Sequence, residues 1–349
     1  MPKRSRVYVA IFFVICGLMY KDNQLLDNHG RPMTYLRLAV TDRCNLRCSY
    51  CMPAEGIVYM PERELLTWEE MSRVVRVMHD MGIEKVRITG GEPFVRNGLM
   101  DFLTEITALP GLEVCLTSNG VLIGEYIESL KALGIRSVNL SLDALDRNRF
   151  KQITRRDDYE IVFQNLLRLV AEGFEVKINA VVMKGQNEQD ILALAALTKD
   201  LPVSVRYIEE MPFNGSGLVE GTLFWNHERI LNELKTVYPS LKSILMQGGE
   251  TANRYEIPGH LGDVGIIAAF TRTFCGTCNR VRLTAKGQVK TCLYDDGVFD
   301  LKAYIRKGVT DEELRQVFLE LYAKRPLDGF EAENNRKGVI NESMTTIGG

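Results

Sequence analysis

The chain has 349 residues, 46% of them apolar and 25% charged, with a formal net charge of −2 at pH 7. That length buries a large core, either one domain or one domain plus an extension. The near-neutral balance excludes a global field that would draw the chain to nucleic acid or acidic lipid, so any anion site must be a local gathering of Lys and Arg.

In chain order, Lys3, Arg4 and Arg6 precede an uncharged run from Val7 to Tyr20. The run resembles the n- and h-regions of a secretion signal, but no small-x-small cleavage site follows it. It is also short of the roughly 20 apolar residues that a spanning helix needs. Residues 1–20 are read as a dispensable extension with Met19 as an alternative start, a membrane tether being the lesser reading, and the location expected is cytoplasmic. Bulky Ile15 before Cys16 argues against a lipoprotein signal.

From Tyr35 to about Met211, short β-branched runs alternate with amphipathic stretches, the pattern of repeated βα units. The predicted strands are Tyr35–Thr41, Lys85–Gly90, Leu112–Ser118, Ser137–Leu142, Glu175–Val182 and Val203–Glu209. Between the first two, Met71, Val74, Val75, Met78 and Met81 keep helical spacing over Trp68–Met81, and Thr67 with Glu70 forms a capping box. Six strands fall short of a closed eight-stranded barrel. The predicted fold is α/β, a partial open (β/α)6 barrel over residues 25–215.

Strand alternation places Arg37; Arg87 and Thr89; Thr117 and Asn119; Asn139, Ser141 and Asp143; Lys177 and Asn179; and Arg206 on one parity. The opposite parity is mostly Leu, Val and Ile, suited to packing under helices. Because every strand contributes a polar residue, the pattern predicts a polar, partly basic lumen able to hold an anion. After Met211 come a Gly-rich stretch at Asn214–Gly217, a helix near Leu223–Val237, and strands near Val264–Thr271 and Val281–Val289 with a turn at Lys286-Gly287. Helices near Leu301–Ile305 and Asp311–Ala323 follow. This makes a C-terminal α+β region over residues 216–330, and the tail 331–349 shows no period.

Six of the eight cysteines form two triplets, the pattern of metal ligands in a reducing compartment rather than of a disulfide scaffold. Cys44, Cys48 and Cys51 have C-x3-C-x2-C spacing directly after the first strand. Three thiolates on a four-iron cubane leave one iron open, whereas structural zinc takes four ligands and no fourth Cys or His lies nearby. Cys275, Cys278 and Cys292 have C-x2-C-x13-C spacing; here zinc is a fair rival, with His260 a candidate fourth ligand. Arg280 and Arg282, on one face of a strand, suit a phosphorylated ligand. Cys16 and Cys115 receive no role.

The first triplet, with Tyr50 before its last Cys, resembles the signature of the radical S-adenosylmethionine (SAM) superfamily. Taken with Thr41–Pro53, Arg87–Pro93, Phe274–Arg282 and the terminal Gly348-Gly349, the chain is similar to the GTP 3′,8-cyclases of molybdenum-cofactor biosynthesis. The resemblance implies two [4Fe-4S] clusters and SAM, with Cys44, Cys48 and Cys51 holding the first cluster and Tyr50, Gly91, Ser141 and Met211 contacting SAM. It implies that Cys275, Cys278 and Cys292 hold an auxiliary cluster that binds guanine. It further implies that Arg37, Arg87, Thr117, Lys177, Arg206, Arg280, Val281 and Arg282 bind GTP, and that Gly348 and Gly349 reach the active site. The implied reaction is radical cyclisation of GTP to (8S)-3′,8-cyclo-7,8-dihydroguanosine 5′-triphosphate. The implied partners are a reducing donor of flavodoxin or ferredoxin type, a downstream cyclic pyranopterin monophosphate synthase and a second copy of the chain, with no nucleic acid. The rival readings are a radical SAM enzyme acting on a peptide and a non-catalytic zinc protein.

Overall fold

The computed structural model describes residues 20–21, 24–211, 223–246, 248–336 and 343–347. The N-terminal run to Met19, the stretch Asn214–Gly217 and the two terminal glycines lie outside the described residues.

All six predicted strands form: β1 (Tyr35–Ala39), β2 (Lys85–Thr89), β3 (Glu113–Ser118), β4 (Ser137–Ser141), β5 (Glu175–Val182) and β6 (Ser204–Glu209). They pair in parallel in that order. Helices such as α1 (Trp68–Asp80) and α2 (Leu99–Thr107) connect them and pack on the outer face. Alternation drives this layering. In β5, Val176, Ile178, Ala180 and Val182 are buried under helices while Lys177 and Asn179 face the other way. The capping box of α1 is present, Thr67 Oγ1 accepting from the Glu70 amide at 3.2 Å and Glu70 Oε2 from the Thr67 amide at 2.8 Å. Such a cap contributes about 1 kcal/mol, and Met71, Val74, Val75 and Met78 are the buried face it anchors.

The C-terminal region joins this sheet at both edges. Strand β9 (Asp263–Ile267) runs parallel to β6, and β10 (Arg280–Leu283) runs parallel to β1. Antiparallel strands extend each side, β8 (Ala252–Glu256) and β7 (Lys242–Ile244) beyond β9, and β11 (Gln288–Lys290) and β12 (Phe299–Asp300) beyond β10. The sheet is therefore an open barrel of parallel strands with antiparallel flaps.

Several boundaries differ from the sequence expectation. The helix predicted from Leu223 begins at His227, because the Asn226 side chain accepts the Arg229 amide at 2.9 Å and caps it there. The run Val281–Val289, by contrast, turns where expected, at Gly287 with φ +86°, and pairs as a hairpin. The β7–β8 pair and β12 were not predicted. The tail, read as aperiodic, holds short helices at Gly329–Asn334 and Met344–Ile347. Among the described residues no helix is long and apolar enough to cross a membrane.

Candidate active site

The lumen face of the sheet opens on one cavity of about 500 Å³, and both cysteine triplets line it. The first triplet sits on the loop after β1, which is sewn to its surroundings through main-chain bonds. The Gly91 amide donates to Thr41 O and the Glu92 amide to Arg43 O, each at 2.8 Å, while the Arg47 and Ser49 amides donate to Thr154 O at 2.9 Å and Ile153 O at 2.8 Å. Gly90 and Gly91 are required for this contact. A Cβ at Gly90 would collide with Thr41 O, and one at Gly91 with Arg43 O. Asn119 Nδ2 reaches Cys44 Sγ at 3.5 Å, and Tyr50 OH donates to Asp143 Oδ2 at 3.0 Å. Ser343, from the C-terminal segment, donates to Cys51 O at 3.0 Å.

Burial pushes the Cys44 thiol up to about 11 and Cys51 up to about 12, and lifts Cys48 well above its ordinary value. Thiolate is thus disfavoured at this loop unless a cation compensates, which is what bound iron does. At the second triplet, burial likewise pushes Cys292 up to about 12. Cys278 moves the other way: burial raises it, but the charges of Arg280 and Arg325 bring it down to about 7. Asp295 Oδ2 takes the Thr291 and Cys292 amides, both at 2.8 Å, and so fixes the loop carrying Cys292.

His260 is no ligand to this triplet. It is hydrogen-bonded to Thr198 Oγ1 at 2.8 Å and packs edge-on against Tyr238, away from the cavity lining. Among the described residues no group of three or more His, Cys, Asp or Glu converges on a single-ion position. Ligands of a cubane bind different irons and need not converge in that way. The donor set, three thiols per loop on a shared cavity, fits clusters.

A basic wall lines the same cavity and adjoins the second triplet, Arg280 Nη1 lying 3.8 Å from Cys278 Sγ. Register places Arg282 beside Arg37 and Arg37 beside Arg87, one row across three adjacent strands. The row one pleat away is Arg280, Tyr35 and Lys85. Arg87 Nε donates to Tyr35 OH at 2.5 Å and its Nη1 to Leu116 O at 2.8 Å, which holds that guanidinium in place. Arg280 Nη2 donates to Gly249 O. Burial first, and then the charges of Arg282, Arg87 and Arg280, push Arg37 down to about 9. Burial and Arg280 lower Arg282 in the same direction. Such crowding of like charge is relieved by a bound polyanion.

The remaining wall carries Thr117, Asn139, Ser141, Lys177, Asn179 and Arg206, all lining the cavity together with Gly91 and Met211. Thr117 Oγ1, Asn139 Oδ1 and Asn179 Oδ1 are buried and make no hydrogen bond, as expected of groups that await a ligand. Thr89 has the predicted parity but does not line the cavity; its hydroxyl donates to Leu38 O at 3.3 Å. Val281 departs from the expectation. It has the opposite parity to Arg280 and Arg282, is 1% exposed and belongs to the hydrophobic core, so its side chain cannot meet a ligand. Gly348 and Gly349 lie outside the described residues.

Sequence reasoning passed over Glu92, which is fully buried and accepts from the Asn119 amide at 2.7 Å and from Ser118 Oγ. It also passed over Glu209, which accepts the amides of His227, Phe270 and Thr271 at 2.7–2.9 Å and ties the end of β6 to the C-terminal region. An acidic residue at a strand end is the signal each left.

An open parallel barrel with a three-cysteine loop after its first strand defines a radical SAM protein, and residues 38–198 match the profile of the Radical SAM superfamily. Residues 203–330 match the Molybdenum Cofactor Synthesis C profile. A GTP 3′,8-cyclase of Peptoclostridium acidaminophilum is 40% identical over 93% of this chain and 98% of its own length. One from Moorella thermoacetica is 39% identical over 93% and 99%. The chain also matches Molybdenum cofactor biosynthesis protein 1 of Drosophila melanogaster at 40% identity, covering 85% of this chain and only about half (53%) of that longer protein. Among solved structures, Streptococcus suis SuiB superposes with a TM-score of 0.58 at 17% identity, over 88% of this chain and 70% of that one, a likeness of fold. The chain belongs to the GTP 3′,8-cyclase family.

Proposed function

We propose that the chain cyclises GTP to 3′,8-cyclo-7,8-dihydro-GTP, the first committed step toward molybdopterin. The observation that carries this reading is the row Arg282–Arg37–Arg87 on a cavity that both cysteine triplets also line. Cys44, Cys48 and Cys51 would hold the first cluster, with Tyr50, Gly91, Ser141 and Met211 around SAM. Cys275, Cys278 and Cys292 would hold the second. Bound there, the first cluster and SAM would supply the radical chemistry, the power to abstract a hydrogen atom from the substrate.

The protein's own part is positioning. Arg37, Arg87, Arg280, Arg282 and Lys177 anchor the triphosphate through charge-assisted bonds, Arg206 adding charge on the far strand. Thr117, whose hydroxyl is unpaired, orients the nucleoside. An anchored triphosphate and base hold C3′ near C8, an entropic gain that needs no acid or base, and the enclosed lumen keeps water and stray reductants from the radical. The proposal extends to Gly348 and Gly349 as catalytic tail residues; they follow a segment whose Met344 and Thr345 line the same cavity. It also extends to a flavodoxin- or ferredoxin-type donor, a homodimer, and delivery of product to a cyclic pyranopterin monophosphate synthase.

The test is anaerobic incubation of the reconstituted protein with SAM, reductant and each nucleoside triphosphate in turn. 5′-Deoxyadenosine formed at a rate raised only by GTP supports the reading; equal formation with every nucleotide overturns it.

A further inference from the structure

One buried arginine that the reaction above leaves unused grips the second cysteine triplet from outside the cavity. Arg325, just past the helix Asp311–Tyr322, is 3% exposed. A guanidinium carries five N–H donors in a rigid fork, and here each has a partner. Nε donates to Thr291 O at 3.0 Å, next to Cys292. Nη1 donates to Cys278 O at 2.7 Å and Asp27 Oδ2 at 3.0 Å. Nη2 donates to Arg280 O at 3.0 Å and to Cys278 Sγ at 3.2 Å.

Asp27 balances the charge and links a second fork to the same corner. Its Oδ2 also takes Arg31 Nε at 2.7 Å, and Arg31 Nη1 donates to Cys275 O at 3.2 Å and Leu327 O at 2.6 Å. The two arginines thus hold the main chain at Cys275, Cys278 and Thr291, and one of them touches a ligand sulfur.

We propose that Arg325 is a positioning residue for the auxiliary cluster, setting the spacing of the Cys278 and Cys292 ligands and raising the cluster's reduction potential through its N–H···S bond. This rests on the reading that the second triplet holds an iron–sulfur cluster. A cation donating to a ligand sulfur favours the more negative, reduced state. A lysine brings one nitrogen and cannot serve Thr291, Cys278 and Asp27 at once. A buried ion pair that only fastens segments together would affect folding stability and leave the potential alone.

The experiment uses the full chain, reconstituted anaerobically, as wild type, Arg325→Gln and Arg325→Lys. Iron is counted, each cluster is titrated potentiometrically by electron paramagnetic resonance, and iron loss to a chelator is timed. Circular dichroism of the metal-free chains establishes folding. In Arg325→Gln the auxiliary cluster's midpoint shifts negative and its iron leaves about 10- to 100-fold faster, with the first cluster unmoved. Arg325→Lys, which keeps the charge, shows the faster loss with a smaller shift, and decides the matter alone if Arg325→Gln fails to fold. Unchanged midpoint and iron loss in a folded variant overturn the proposal. A wild-type chain that takes up one cluster only overturns the two-cluster reading and this proposal with it.

Discussion

Arg37 and Arg282 stand side by side in parallel register, although one lies on the first barrel strand and the other near the end of the chain. No local feature of the sequence joins them; the pairing exists because the C-terminal strand β10 adds to the free edge of β1. The basic wall and the second cysteine triplet are built by the same event, since Cys278 lies two residues before β10 and Cys292 follows its hairpin.

Replacing Arg282 with Ala should therefore weaken GTP binding while both clusters stay bound, since Arg282 is not among the cysteine ligands. A hydrogen bond to a charged group is worth about 1.5–3 kcal/mol, so kcat/KM for GTP should fall about 10- to 100-fold or more. Steady-state kinetics with an iron count checks this. Loss of iron instead of loss of GTP affinity would assign Arg282 to the cluster.

Gly91→Ala should cost the first cluster and spare the second. The added Cβ would meet main-chain atoms of Asp42 and Arg43, so the loop bearing Cys44 must move; overpacking of this kind costs about 1–3 kcal/mol. The expected outcome is loss of about half the iron per chain together with all SAM cleavage, read by colorimetric iron and 5′-deoxyadenosine assays.

Glu209→Ala should destabilise the whole chain in one transition. This fully buried carboxylate accepts three amides from two separate segments of the C-terminal region, one at His227 and two at Phe270 and Thr271. Removing it leaves those donors unpaired at about 1–3 kcal/mol each, partly relieved by water. Denaturant melts should show a lower midpoint with an unchanged slope; two separate transitions would mean the regions are not welded there.

Glu92 gives a pH signature. Burial pushes its carboxyl from 4.5 up to about 7, against the lowering effect of the Asn119 and Phe94 amides and the Ser118 hydroxyl. A folded value above the unfolded one contributes stability that is fully present below about 4.5 and is lost as pH rises through about 7. Metal-free wild type should accordingly lose Tm relative to Glu92→Gln across that window. A difference that does not change with pH would contradict the assignment.

The six barrel strands were legible because alternation over five to eight residues leaves a clear period, and that same parity located Arg37, Arg87, Thr117, Lys177 and Arg206 on the lumen face. The β7–β8 flap left no such mark, since Lys242–Ile244 is a short, mostly exposed edge strand. The helix Gly329–Asn334 is too brief for a period, although Asp328 caps it. Asp27, Arg31 and Arg325 were missed for a different reason. Charged residues scattered along a chain read as solvated, and only tertiary pairing shows that these three are buried on one another. Val281 shows what a motif taken whole does not tell, since its side chain, unlike those of Arg280 and Arg282, points into the core.

The most direct measurement of the central claim is the iron and acid-labile sulfide content of the anaerobically reconstituted chain beside a variant with Cys275, Cys278 and Cys292 changed to Ala. Two cubanes predict about eight irons in the wild type and about four in the variant, with SAM cleavage retained and GTP cyclisation gone. About four irons in both, or zinc in place of the second cluster, would contradict it.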